Sequence, residues 1–98
     1  MTTEGFTAFF HNKGRTIKLY FNTKGWFEYT EQTYKENELN QDLKTLINTR
    51  FPGWIIEMIT EINDASQFLY EAHISKGERN KILVIRNREI ESSNEYVN

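Results

Sequence analysis

Two histidines, His11 and His73, with Glu71 beside the second, are the side chains best suited to hold a metal, since imidazole nitrogens and a carboxylate are ordinary zinc ligands. Both fall on hairpin strands that could approach one another, but neither shows the spacing of a metal-binding motif. Glu57 and Glu61 lie four apart, which places them on one face of a strand, and Glu28 is a third carboxylate for acid–base chemistry. Charged residues on the outer face of a sheet are also what solvation requires, and nothing marks these as desolvated. Ser66, Ser75, Ser92 and Ser93 fall in turns, strand ends or the tail, with no base and orienting partner of the kind a serine nucleophile needs. Gly14, Gly25 and Gly77 are single turn glycines and form no phosphate-cradling loop. The expectation is a chain without catalytic residues, bound metal or cofactor.

Composition narrows the classes further. Ninety-eight residues suit one domain and one core, and no cysteine is present to staple it or to hold zinc. Twelve basic and fourteen acidic residues are interspersed, giving a net charge of −2 and a sequence pI near 5.7. A nucleic-acid partner is therefore not expected. No apolar run approaches the ~18 residues that span a bilayer, so membrane insertion is not expected either. Met1-Thr2-Thr3-Glu4-Gly5 lacks the basic and apolar regions of a signal peptide. Either the chain is cytoplasmic, or a leader has been removed ahead of it.

The elements that would position these residues follow from periodicity. Phe6, Ala8 and Phe10 alternate with Thr7 and His11, and Ile17, Leu19 and Phe21 with Thr16, Lys18 and Tyr20. His11-Asn12-Lys13-Gly14 and Asn22-Thr23-Lys24-Gly25 read as hairpin turns. The aromatic, Thr-rich run from Trp26 to Tyr34 completes a three-stranded meander. Leu39, Leu43, Leu46 and Ile47 then sit at i, i+4, i+7 and i+8, the stripe of an amphipathic helix over Leu39–Arg50, which Phe51-Pro52-Gly53 ends. Strand patterning resumes over Trp54–Ile62, breaks at Asn63-Asp64-Ala65-Ser66, and returns as a hairpin: Phe68, Tyr70, Ala72 and Ile74, a turn at Ser75-Lys76-Gly77-Glu78, then Lys81 to Arg86. Ile82-Leu83-Val84-Ile85 is apolar on both faces, as in a central strand covered on both sides.

The fold class is thus α+β: a mainly antiparallel sheet of five or six strands in the order β-β-β-α-β-β-β, with the helix on one face. One domain spans residues 5–91, and 92–98 read as a frayed polar tail.

A repeat underlies this order. Laid over itself with Phe6 on Tyr70, the chain also places Ala8 on Ala72, Phe10 on Ile74, Leu19 on Leu83, Phe21 on Ile85 and Trp26 on Ile90. The second unit is preceded by a helix and a strand, the first by neither, so the chain reads as a helix–sheet repeat lacking its first helix.

Gly5-Phe6-Thr7-Ala8-Phe9-Phe10, Lys18 to Trp26, Thr30, Glu38-Leu39, Phe51-Pro52-Gly53-Trp54-Ile55, Tyr70-Glu71-Ala72 and Lys81-Ile82-Leu83 together resemble the PepSY-like proteins described as β-lactamase-inhibitor-like. The chain departs from that pattern in having Leu39-Asn40 where Leu-Pro commonly starts the helix, and in lacking the upstream helix. The resemblance implies a helix-packed antiparallel sheet and export to a bacterial periplasm or beyond. It implies no activity, because fold does not carry function.

The aromatics read first as core or intramolecular packing and second as a partner face. Phe6, Phe10, Phe21, Phe51 and Phe68 fit the core, whereas Phe9, Tyr20, Tyr29 and Trp54 fall on the opposite side or at a sheet edge, where exposed aromatics make contact sites. The favoured reading is a non-catalytic, protein-binding or inhibitor-like module whose partner is another protein or a second copy in a homodimer. The alternatives are a small ligand-binding or enzymatic domain with a pocket between helix and sheet, and a structural fragment of a longer envelope protein.

Overall fold

In the computed structural model, which describes residues 5–64 and 66–96, the chain is a seven-stranded meander with one helix. The strands are β1 (Phe6–Asn12), β2 (Arg15–Phe21), β3 (Phe27–Tyr34), β4 (Ile55–Asp64), β5 (Phe68–Lys76), β6 (Arg79–Arg86) and β7 (Glu89–Tyr96). Their spatial order is their chain order, and every neighbouring pair is antiparallel. A short 3-10 turn at Glu36–Glu38 and helix α1 (Gln41–Arg50) connect β3 to β4.

The expected α+β class and the single helix are therefore present, but the sheet has seven strands rather than five or six. The extra strand comes from the segment read as tail. Residues Ser92 to Tyr96 pair with β6, as in Val84↔Ser92 and Asn80↔Tyr96. An edge strand with polar residues on both faces carries no alternation, so its sequence looks like a tail. Val97 and Asn98, like Met1–Glu4 and the turn residue Ala65, lie outside the described residues.

Turn chemistry sets the register. Lys13 and Gly14 both take positive φ (49° and 83°), as do Asn87 and Arg88 (52° and 61°), matching two-residue hairpin turns of the primed type. The repeat persists in the pairing: Phe6↔Phe21 and Asn12↔Arg15 join β1 to β2, and the equivalent Tyr70↔Ile85 and Lys76↔Arg79 join β5 to β6. The third strands do not overlay in the same way. Leu19 pairs with Thr30 and Leu83 with Ser93, a slip of one residue that follows from a long turn after β2 and a tight one after β6.

Asn40 caps α1, its side-chain oxygen accepting the Leu43 N–H at 2.9 Å. The departure from Leu-Pro thus leaves the helix start well made, two residues later than expected. Leu43 and Ile47 face the sheet, Leu39 packs just ahead of them, and Leu46 is half-buried alongside. The Phe51 N–H closes the helix on the Ile47 carbonyl at 2.8 Å. Gly53, at φ 85°, then turns the chain into β4.

The core under α1 comes from β4 to β6: Ile56, Ile59, Ala72, Ile74, Leu83 and Ile85, with Tyr34 of β3 beside them. Alternation carries Ile82 and Val84 to the far face, where among the described residues no helix lies and both stay partly exposed, so β6 is covered by a helix on one side only. Three aromatics assigned to the core also lie outside it. Phe6 is 60%, Phe10 48% and Phe68 39% exposed, because α1 does not reach β1 or the start of β5. Phe21 is half-buried.

Candidate binding surface

The structure separates the residues that could have shared a metal or a proton. His11 on β1 and His73 on β5 are four strand spacings apart, roughly 19 Å. His11 Nδ1 instead lies 3.2 Å from the Thr16 hydroxyl. Among the described residues no group of three or more His, Cys, Asp or Glu is close enough to hold an ion. Glu57 and Glu61 do not share a face. A bulge between Ile56 and Met58 inserts Glu57, which inverts the phase of the strand behind it. Glu61 therefore points to the helix side while the Glu57–Met58 pair opposes His73 on the far side, and Glu28 sits at the other end of β3.

Glu61 instead belongs to a polar seam along the helix side of the sheet. Arg15 donates from Nη1 to Gln32 Oε1 at 3.1 Å and to Glu61 Oε2 at 3.3 Å. Its Nε reaches Glu38 Oε1 at 3.4 Å, and its guanidinium lies 4.0 Å over the Tyr34 ring. Burial, then the neighbouring Glu61 carboxylate, push the Tyr34 hydroxyl far above the ordinary tyrosine range, with Arg15 opposing. Tyr70 on β5 is raised too, first by burial and then by Glu61.

This seam divides the helix side in two. Beyond it the residues under α1 are dry. Before it, β1, β2 and the start of β3 present Phe6, Phe21 and Phe27 in one cross-strand row, Ala8 and Leu19 in the next, and Phe10 and Ile17 in a third. Among the described residues nothing covers them. Phe27 is 53% exposed, like Phe6 and Phe10, whereas Ile74 and Ile85, the repeat equivalents of Phe10 and Phe21, are 1% exposed under α1. Phe27 and Arg15 were not anticipated as site residues. The signal for Phe27 was its place in register with Phe21; Arg15, as a turn flank, gave none.

The four expected contact residues divide between the faces. Tyr20 and Tyr29 are cross-strand partners on the far face and stack at 4.3 Å, and the Tyr20 hydroxyl donates to Glu31 at 3.1 Å. Much of their ring surface is spent on each other. Phe9, also on the far face, is 65% exposed. Trp54 does not join them. It is half-buried against the helix-side core at the opposite end, edge-on to Phe51, with the Arg79 guanidinium 5.0 Å over its ring.

A crevice of about 180 Å³ lies between the start of α1 and β5–β6, lined by Asn40, Asp42, Phe68, Tyr70 and Arg88 among others. That is below the roughly 300–1,000 Å³ of small-molecule sites, and Asn40 is already occupied as the helix cap.

No family model and no curated protein matches this chain. Its fold is similar to crystal structures of two DUF2874 family proteins. One, from Bacteroides uniformis ATCC 8492, superposes with a TM-score of 0.77 at 12% identity over 91% of this chain and 69% of that one. The other, from Bacteroides ovatus ATCC 8483, gives 0.71 at 11% identity over 94% of this chain and 77% of that one. At such identity the likeness establishes the fold alone. Among the described residues no helix is long and apolar enough to cross a membrane.

Proposed function

We propose that the chain is a non-catalytic protein-binding module, inhibitor-like in architecture, whose contact surface is the uncovered helix side of β1–β3 together with the β1 edge. The observation that carries this reading is the contrast within the repeat. The same apolar pattern is sealed under α1 in the second unit and left open in the first, with three phenylalanines about half exposed or more. Patches of several hundred Å² on a folded domain mark contact sites. The reading as a non-enzyme is supported by the titratable groups: Glu61, a half-buried carboxylate on the helix side, is paired with Arg15, and the groups pushed up by burial are tyrosines held by packing.

The kinship to PepSY-like, β-lactamase-inhibitor-like proteins belongs to the same proposal, as does the periplasmic or secreted location it implies. In its support, Phe51-Pro52-Gly53-Trp54 forms the step from α1 into β4, and Tyr70-Glu71-Ala72 and Lys81-Ile82-Leu83 lie on the two strands of one hairpin and meet at the Ala72↔Leu83 pair. A photo-crosslinking amino acid at Phe10, in cells expressing the chain, should give a discrete protein adduct that the same probe at Glu91 does not. A chain unlabelled at Phe10 and equally unlabelled at Glu91 would end the reading.

A further inference from the structure

Resting on that reading, we infer that the occupant of the open corner is a second copy of this chain, packed face to face about a two-fold axis that runs along β2. The surface is self-complementary in chemistry. Phe6, Ala8, Phe10, Ile17, Leu19, Phe21 and Phe27 include no charge, so two copies can meet without burying an unpaired one. At its borders, Arg15 is already held by Glu38 and Glu61, and Glu28, beside Phe6 and Phe21 at the rim, is exposed and can stay in water.

The area is sufficient. A phenylalanine side chain offers roughly 200 Å², so Phe6, Phe10 and Phe27, at 60%, 48% and 53% exposure, leave roughly 300 Å² open. The partly exposed Ile17, Leu19 and Phe21 bring this to roughly 400–500 Å² a copy, and a two-fold pair to roughly 800–1,000 Å² before the flanking edges are counted, at the lower bound of specific interfaces.

The layers also fit. Facing sheets pack about 10 Å apart, and a helix is about 10 Å thick. Rotation about an axis along β2 places the β1–β3 corner of one copy in the layer occupied by α1 of the other, so each α1 flanks the partner's β1 edge. That edge needs covering. β1 carries no Lys, Arg, Asp, Glu or Pro, whereas the opposite edge, β7, carries Glu89, Glu91 and Glu95. A two-fold arrangement closes on itself and leaves no further copy of the patch to recruit.

The test uses the purified chain. Sedimentation equilibrium over a hundredfold concentration range should give twice the 11.7 kDa of one chain. Phe10→Glu should raise the dissociation constant at least a hundredfold, while Phe9→Glu, on the far face, leaves the dimer intact. Because the chain has no cysteine, Leu19→Cys introduces a unique thiol near the axis. A short bismaleimide should then link two copies, and should not when the thiol is placed on the far face by Lys18→Cys. A monomer at every concentration, loss of the dimer in Phe9→Glu but not Phe10→Glu, or cross-linking through Lys18→Cys alone would each overturn the pairing. A purified monomer that still labels another protein from Phe10 in cells would overturn the pairing and leave the protein-binding reading standing.

Discussion

The polar seam makes stability fall on the alkaline side, and Tyr34 is where to look. Its hydroxyl is buried, at 4% residue exposure, beside the Glu61 carboxylate, and both effects hold its pKa well above the ordinary 10.0. Below pH 10 both folded and unfolded chains keep the phenolic proton, and the group contributes no pH dependence. Above pH 10 the unfolded chain releases it and the folded chain does not. The native state then binds more protons, and the free energy of unfolding falls as pH rises, by up to about 1.4 kcal/mol per pH unit for this group. By pH 11 the loss is about 1.4 kcal/mol from Tyr34 alone, to which Tyr70, raised the same way, adds a smaller share. Urea unfolding followed by circular dichroism between pH 8 and 11 measures it. The midpoint should hold to about pH 9.5 and then drop, and Tyr34→Phe should make the drop shallower by close to one proton's worth. Tyr34→Phe falling as steeply as the unaltered chain would refute the account of the seam. So would tyrosinate absorbance showing that Tyr34 ionises in the folded chain near pH 10.

Three other outcomes test the packing. Ile47 and Leu43, both buried between α1 and the sheet, should each cost about 2–5 kcal/mol on truncation to Ala, and an unchanged urea midpoint for either would show that α1 does not dock through that stripe. Leu46→Ala, at a half-buried position beside the same core, should cost clearly less than Ile47→Ala by the same measurement. Asn40→Ala removes the cap on the Leu43 N–H and should cost about 1 kcal/mol, with Asn40→Ser or Asn40→Asp restoring most of it in thermal melts.

Much of this architecture is legible in the chain because it is local. Gly14 is needed where φ is positive, Pro52 follows the last helical turn, and period-two alternation lays out β1, β2, β5 and β6. The repeat is legible down to register, since Phe6↔Phe21 and Tyr70↔Ile85 are the same pair in two copies of one pattern. What escapes is whatever depends on a single inserted residue or on a neighbour distant in sequence. The bulge at Glu57 leaves the composition of its strand unchanged, yet it sends Glu57 and Glu61 to opposite faces. Spacing counted along an ideal strand would have joined them.

The open corner marks a deeper limit of the same kind. Phe6, Ala8 and Phe10 carry the same apolar alternation as Tyr70, Ala72 and Ile74, and each triplet pairs with its neighbouring strand in the same register. Pattern specifies that a face must be buried; it does not specify by what. For β5 the answer is α1, ten residues set between β3 and β4, capped by Asn40 and carrying Leu43 and Ile47, which are buried in one core with Ala72 and Ile74. For β1 no element of the described chain reaches across the Arg15–Glu61 seam. The demand for burial written in the first unit is the same as in the second, and the half-exposed phenylalanines are that demand left unmet within one copy. The binding proposed at this corner rests on the same apolar burial that folds the second unit, completed between molecules rather than within one.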